Sequence, residues 1–201
     1  MSVGKEPFTL PQALKEHLLS CRYLLVLSGA GVSAESGVPT FRDAQTGLWS
    51  QFRPEQLATP EAFERDPATV WQWYAWRREL IARVEPNPGH YAIAALEHKV
   101  ERFLLVTQNV DGLHQRAGSQ QVVELHGNIM RNICSRTRRP IDDEWLQQHP
   151  GSPPPSPFAA DGLTRPDVVW FGEALPRQAL DQALSAVTEC DVVIVAGTSG
   201  M

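Results

Sequence analysis

The sequence has few cysteines, no long apolar segment and no excess of basic residues, and each absence excludes a class of protein. Its three cysteines, Cys21, Cys134 and Cys190, lie far apart and form no CxxC pair, so they predict neither a disulfide framework nor an intact zinc site and fit a reducing cytoplasm. No apolar run approaches the roughly 20 residues that span a bilayer, and the N-terminus carries no apolar signal segment. The 18 Lys and Arg residues against 23 Asp and Glu residues give a net charge of −5, which argues against nucleic acid as the main partner. We therefore expect a cytoplasmic protein that binds neither membranes nor nucleic acids.

Short apolar runs alternate with amphipathic segments along the 201 residues, a length that suits one domain with a small insert. The runs that predict strands buried on both faces are YLLVLS (23–28), RFLLVTQ (102–108) and DVVIVAGT (191–198), with further strands predicted at 122–127 and 167–173. Helices are predicted at 11–21, 68–84, 90–99 and 177–187. The Pro- and Ser-rich stretch 147–157 predicts an exposed loop within an insert at 128–166. This order predicts an α/β fold with a parallel sheet and right-handed crossovers.

The residues after the first predicted strand match the pattern G-x-G-x-x-A, with Gly29, Gly31 and Ala34 at its fixed positions. Glycines in such a turn let the backbone approach a pyrophosphate at a helix N-terminus. A glycine turn without any ligand is an equal alternative. A dehydrogenase would carry an acidic residue on a second strand about 20 residues further on, but GLWSQFRPEQL (47–57) does not have the pattern of a strand. The motif therefore favours a nucleotide site and argues against hydride transfer.

Polar side chains follow two of the predicted strands. Gln108, Asn109 and Asp111 come after LLVT, and His126 comes after VVEL. Ligands of open parallel sheets bind at the carboxyl ends of the strands, so these side chains are candidates for the binding cleft. Asn and Asp are also frequent turn residues, and most histidines fill surface or core positions. Because imidazole is the natural base near neutral pH, the strand-end position makes His126 a candidate general base.

Five motifs in a fixed order resemble the sirtuins, which are NAD-dependent protein-lysine deacylases. They are GAGVSAESGVPTFRD (29–43), TQNVDGLH (107–114), ELHGN (124–128), RPDVVWFGE (165–173) and GTS (197–199). The resemblance covers the chain from about residue 10 to residue 201. It implies a single catalytic domain over 1–201, with NAD and an acylated lysine peptide bound in a cleft between two parts. The implied parts are a Rossmann-type sheet at 10–42, 88–127 and 167–201, and a smaller module of helices and a degenerate zinc ribbon at 43–87 and 128–166.

The resemblance also implies roles for individual residues. His126 would be the general base of a reaction that gives free lysine, nicotinamide and O-acyl-ADP-ribose. The residues implied in NAD binding are Gly29, Ala30, Gly31, Ser33, Ala34, Phe41, Arg42, Trp49, Gln108, Asn109, Asp111, Gly197, Thr198 and Ser199. The edge implied to pair with an extended substrate peptide consists of Val168, Val169, Trp170, Phe171 and Gly172, a mode in which main-chain bonds tolerate many sequences.

The sequence departs from the family pattern in two places. Only Cys134 remains of the four cysteines that usually hold a structural zinc, and a single thiolate cannot make a four-coordinate site, so we expect no zinc. The chain also stops soon after GTS, where sirtuins continue, so we expect incomplete adenosine recognition and an exposed strand edge at 191–198. Two other functions stay open: a weak or inactive NAD- or ADP-ribose-binding protein, and an ADP-ribosyl transferase that uses the same pocket.

One predicted helix carries the pair Tyr74 and Arg77, which are three residues apart and share a face. From spacing alone an aromatic core stripe with a solvated arginine is the favoured interpretation. The pair nevertheless resembles the recognition element of class III sirtuins for acidic acyl groups, and a guanidinium with a hydroxyl donor suits a carboxylate. The resemblance therefore implies a preference for succinyl- or malonyl-lysine over acetyl-lysine. Arg78 is rotated about 100° around the helix and is expected not to matter.

Overall fold

The computed structural model describes residues 9–38 and 53–198, and it contains a four-stranded parallel sheet. The strands are β1 (Tyr23–Ser28), β2 (Arg102–Thr107), β3 (Val122–Glu124) and β7 (Val192–Ala196). They lie in the order β3-β2-β1-β7, so β1 and β2 are central and pair along their whole length. The predicted α/β fold with a parallel sheet is confirmed.

Helices cover both faces of this sheet, which explains why its central strands are apolar over 24–27 and 103–106. The helices are α1 (Gln12–Ser20), α2 (Pro54–Leu57), α3 (Pro60–Arg65), α4 (Pro67–Arg83), α5 (Pro88–Glu97), α6 (Leu113–Arg116), α7 (Asp143–Gln148) and α8 (Arg177–Glu189). Leu24 and Val26 of β1 pack with Ile93 of α5, whereas Leu25 packs on the opposite face with Ala183 of α8. Successive strand side chains point to opposite faces, so the middle of a strand that is covered on both faces is apolar at every position.

A second, antiparallel sheet lies in the insert and contains β4 (Gly127–Cys134), β5 (Pro140–Ile141) and β6 (Thr164–Val168) in the order β5-β4-β6. Its inner side chains join a core cluster with helices α2 to α4, in which Ile129 and Val168 pack with Trp73 and Phe63. Within the described residues, no helix has both the length and the apolar character needed to cross a membrane.

Most predicted helices and strands agree with the structure to within about two residues, but two strands differ. The strand predicted at 122–127 ends at Glu124, because Gly127 already starts β4. The strand predicted at 167–173 is β6, which ends at Val168 and belongs to the antiparallel sheet. Beyond Val168 the backbone N–H groups donate to acceptors in several different segments and not to one neighbouring strand. The extended strand therefore ends there. The motif beginning at Gly29 continues as a 3-10 helix over Ala30–Ser36.

Candidate active site

A cavity of about 560 Å³ opens between the carboxyl ends of β1 and β2, helix α4 and the segment after β6. It brings together many of the residues named from the sequence: Ala30, Ser33, Tyr74, Arg77, Gln108, Asn109, Asp111, His126, Val168, Val169, Trp170, Phe171 and Gly172. Gly29, Gly31, Ala34, Gly197 and Thr198 do not line it. Phe41, Arg42, Trp49 and Ser199 lie outside the described residues. Strand ends on the sheet and helix α4 therefore meet at one concave surface.

Ser33 is the centre of a buried hydrogen-bond network at the floor of the cavity. Its hydroxyl donates to Oδ2 of Asp111 at 2.7 Å and accepts from Nδ2 of Asn109 at 3.1 Å. The other carboxylate oxygen of Asp111 accepts the backbone N–H of Leu113 at 2.9 Å. Because both carboxylate oxygens are engaged, the side chains of Asp111, Asn109 and Ser33 hold one another in fixed positions.

His90, which the sequence analysis did not single out, is a fourth member of this network. Its Nδ1 accepts the backbone N–H of Asn87 at 3.2 Å, so the hydrogen of the neutral ring is on Nε2. That Nε2 lies 3.2 Å from the hydroxyl of Ser33 and donates to it. Asn87 caps helix α5 and also donates to the backbone oxygen of Val32 at 2.7 Å. An Asn-Pro pair at a helix start, with His three residues after Asn, was the sequence signal that could have revealed this support.

A second buried histidine, His114, lies behind the first, with ring centroids 4.8 Å apart. The hydroxyl of Ser28 donates to Oγ1 of Thr107 at 2.8 Å, so Nε2 of His114, at 2.9 Å, donates to Ser28. Burial and, to a smaller extent, the neighbouring His90 lower the pKa of His114 to about 4. Burial also lowers the pKa of His90, although Asp111 opposes that effect. Both rings are therefore neutral near pH 7.

His126 lies half-buried at the edge of the cavity, on the turn between β3 and β4. Its Nδ1 is 3.0 Å from the backbone oxygen of Gln108. A carbonyl oxygen can only accept, so Nδ1 donates and Nε2 of the neutral ring carries a lone pair. This hydrogen bond fixes both the tautomer and the orientation that a general base requires.

The turn that carries His126 depends on a glycine and on an ion pair. Gly127 has φ of +78°, and a Cβ at this position would collide with the backbone oxygen of Asp167. Arg131 joins the two sheets across this turn, because its guanidinium contacts Glu124 of β3 at 2.7 Å and Asp167 of β6 at 3.0 Å. The position of the candidate base is therefore set by contacts between separate strands.

The glycines of the G-x-G-x-x-A pattern pack against the end of β7. The N–H of Gly31 donates to the backbone oxygen of Gly197 at 2.8 Å, and the N–H of Gly29 donates to Ala196 at 3.0 Å. A Cβ on Gly31 would lie 2.9 Å from the backbone of Gly197. Close packing of two loops thus explains why glycine occupies these positions, and these two N–H groups are not available to a pyrophosphate. Their implied roles in NAD binding stay predictions.

Tyr74 and Arg77 are both buried, with exposed fractions of 1% and 6%. Nε1 of Trp170 donates to the Tyr74 hydroxyl at 2.9 Å. Burial raises the pKa of Tyr74 to about 12. Burial lowers the pKa of Arg77, whereas Tyr74 and Asp111 raise it. The interpretation of Arg77 as a solvated side chain is wrong, because its guanidinium lies inside the protein beside the cavity.

Arg78 makes structural hydrogen bonds that its position on the helix does not predict. Its Nε donates to the backbone oxygen of Ile129 at 2.6 Å, and its Nη2 donates to Oδ1 of Asn132 at 2.8 Å. These bonds attach helix α4 to strand β4. The expectation that Arg78 does not matter for acyl selectivity stays a prediction.

The segment after β6 uses its backbone donors within the chain. The N–H of Val169 donates to His126, that of Trp170 to the Glu173 carboxylate, and that of Phe171 to Ala58. Main-chain pairing of Val169, Trp170 or Phe171 with a substrate peptide would therefore have to use their carbonyl oxygens.

The positions that usually hold zinc in the resembling family carry a hydrogen-bonded cluster here. Burial raises the pKa of the Cys134 thiol, but hydrogen bonds to Ser156 and to Thr137 lower it more. The backbone N–H of Thr137 lies 3.4 Å from Sγ of Cys134. Within residues 9–38 and 53–198, no group of three or more His, Cys, Asp or Glu side chains could hold a metal ion. The expected lack of zinc stays a prediction.

Comparison with known proteins identifies the family. The model of the "Sir2 family" matches residues 29–201. "NAD-dependent protein deacylase 2" of Pyrobaculum aerophilum is 54% identical over 185 residues, which cover 92% of this chain and 72% of the relative. "NAD-dependent protein deacylase 1" of Pseudomonas aeruginosa is 50% identical over 196 residues, which cover 94% of this chain and 78% of the relative.

Solved structures agree with these relatives. A Sir2 homolog in complex with NAD superposes with a TM-score of 0.83 at 47% identity, covering 95% of this chain and 73% of that one. A Sir2 variant with a deacetylated p53 peptide and 3'-O-acetyl ADP ribose gives a TM-score of 0.78 at 30% identity, with 94% and 76% covered. The chain therefore belongs to the Sir2 family.

Proposed function

We propose that this chain is an NAD-dependent protein deacylase that transfers acyl groups from lysine side chains and releases nicotinamide and O-acyl-ADP-ribose. The observation that carries the proposal is the position of His126, which lies at the edge of the cavity with Nε2 as the unprotonated nitrogen. Membership of the Sir2 family supports it, as do relatives named as NAD-dependent protein deacylases and a homolog solved with NAD.

The polar floor of the cavity suits the ribose and carboxamide of a nicotinamide nucleotide. Ser33, Asn109 and Asp111 are fixed by one another and by His90, so their remaining donors and acceptors can be oriented before a ligand arrives. With NAD bound, the carbonyl oxygen of the acyl-lysine would form a bond to the anomeric carbon of the ribose as the bond from that carbon to nicotinamide breaks. His126 would then accept a proton at Nε2 from a ribose hydroxyl as the hydroxyl oxygen bonds to the acyl carbon, a step that typically contributes 10²–10⁴-fold in rate. Water would complete the release of free lysine and O-acyl-ADP-ribose. Contacts of Gly197 and Thr198 with the adenosine half are part of this proposal.

The proposal extends to the acyl group, for which we infer a preference for succinyl or malonyl over acetyl. Arg77 and Tyr74 lie along the same cavity as His126, and both are almost fully buried. A carboxylate is the ligand that a guanidinium and a phenolic O–H both recognise. An acetyl group offers neither of them a negative partner, so it gains no charge-assisted hydrogen bond from this pair.

The protein would divide into the Rossmann-type part and the smaller module at the boundaries expected from the sequence. The substrate would bind as an extended peptide along residues 168–172. The carbonyl oxygens of this segment are the groups proposed to pair with the peptide, since three of its N–H groups already donate within the chain. A peptide held there would place its modified lysine toward the cavity that His126 borders.

The test is to incubate the chain with NAD and one peptide sequence carrying succinyl-, malonyl- or acetyl-lysine, and to follow both peptide mass and nicotinamide. We expect nicotinamide release that depends on acyl-peptide and matches lysine release one to one. His126→Ala should lower turnover at least 100-fold while retaining NAD binding, whereas His98→Ala, at an exposed histidine after α5, should not. NAD binding without nicotinamide release would indicate an inactive binding protein. Label transferred from NAD to protein would indicate an ADP-ribosyl transferase.

A further inference from the structure

The Tyr74 hydroxyl receives a hydrogen bond that determines what it can offer to a ligand. The indole Nε1–H of Trp170 donates to it at 2.9 Å, and both side chains are at most 2% exposed. A hydroxyl has one hydrogen, and the bond from Trp170 occupies a lone pair. None of the hydrogen bonds among the described residues uses that hydrogen, and both side chains line the cavity. The Tyr74 hydrogen is therefore available to an acceptor in the cavity.

Trp170 is itself held on two sides. The guanidinium of Arg165 stacks 3.3 Å from the centre of the indole ring. Arg165 also makes a two-point contact with Glu173, at 2.7 and 2.9 Å. Glu173 in turn accepts the backbone N–H of Trp170 at 2.8 Å. These contacts fix the direction in which the indole N–H points.

We propose that Trp170 is a positioning residue for acyl selectivity: its indole N–H holds the Tyr74 hydroxyl as a hydrogen-bond donor directed into the acyl cavity. The inference rests on the proposed deacylase function and deepens it. An acyl group that ends in a carboxylate provides the acceptor that this donor requires, whereas the methyl end of an acetyl group provides none. Burial raises the pKa of Tyr74 to about 12, so the hydroxyl keeps its hydrogen throughout the neutral range.

The test is Trp170→Phe, which removes the N–H and keeps an aromatic ring beneath Arg165. We expect the ratio of kcat/KM for the succinyl-lysine peptide to kcat/KM for the acetyl-lysine peptide to fall about 3- to 10-fold, the range for one neutral hydrogen bond. Tyr74→Phe should cause at least the same selective loss. The double variant should match Tyr74→Phe alone, because Trp170 acts through Tyr74. Additive losses would overturn the proposal.

A matched control and a readout without catalysis separate this inference from the proposed function. Trp145→Phe also removes an indole hydrogen bond, which runs to the Pro155 oxygen at 3.0 Å, but Trp145 does not line the cavity. The ratio of kcat/KM for succinyl-lysine to kcat/KM for acetyl-lysine in this variant should therefore equal that of the wild type. In NMR spectra, the indole N–H resonance of Trp170 is identified as the one that is missing in Trp170→Phe. The chemical shift of that resonance should change in Tyr74→Phe, even if the protein removes no acyl group. An unmoved resonance would refute the hydrogen bond. A moved resonance in a protein without deacylase activity would refute the proposed function, and with it the role in acyl selectivity, while leaving the hydrogen bond intact.

Discussion

Replacing Arg77 by Met should separate recognition of acidic acyl groups from the rest of catalysis. The Arg77 side chain is 6% exposed and lies near both Tyr74 and Asp111. A hydrogen bond to a charged group contributes about 1.5–3 kcal/mol, which corresponds to roughly 10- to 150-fold in kcat/KM. The substitution also leaves the negative Asp111 facing the substrate carboxylate, so we expect the loss on succinyl-lysine to approach about 100-fold.

Deacetylation should be retained or improved in the same variant, because an acetyl group gains nothing from a buried cation. Stability should fall as well, since removing a buried cation near Asp111 leaves that carboxylate with less compensating charge. The assay is kcat/KM for succinyl- and acetyl-lysine peptides of one sequence, together with the thermal unfolding midpoint. Arg83→Met is the matched control, because Arg83 ends the same helix with a side chain that is 77% exposed. Equal losses on both substrates, or an equal effect at Arg83, would refute the role of Arg77.

Two further predictions concern the support of the site. The free energy of unfolding should decrease as the pH falls from about 6.5 to 4, because the unfolded chain binds protons there that buried His114 does not. Below pH 4, His114 alone accounts for a loss of about 3 kcal/mol in the free energy of unfolding. Urea titrations at several pH values should show a smaller decrease of that free energy in His114→Gln than in the wild type, and an identical decrease would contradict this. Gly127→Ala should destabilise the protein by at least about 2 kcal/mol, because it adds a collision with Asp167 to the strain of a positive φ. Gly118→Ala, where φ is +105° and the space around the Cβ is open, should show only the strain of about 1–2 kcal/mol, and equal midpoint shifts in thermal unfolding would be evidence against the collision.

The strand-end positions of several polar residues can be predicted from local sequence, and the errors elsewhere have specific reasons. Gln108, Asn109 and Asp111 line the cavity because parallel strands present their carboxyl ends to one side. The glycine pattern predicts a site for a pyrophosphate, yet the N–H groups of Gly29 and Gly31 donate to Ala196 and Gly197, which are more than 160 residues away in sequence. No local pattern could have revealed that pairing.

The sequence by itself determined the family, the parallel sheet and the strand ends that carry polar groups, because apolar runs and ordered motifs are local properties. Only the tertiary structure decided how individual atoms are paired. It showed that His90 supports Ser33, that Arg78 attaches helix α4 to β4, and that Trp170 donates to Tyr74. Helical spacing placed Arg77 and Arg78 on different faces but could not tell which face met the cavity and which met a strand. A hydrogen bond depends on distances of a few tenths of an ångström between atoms from distant segments, and those distances exist only once the segments have packed.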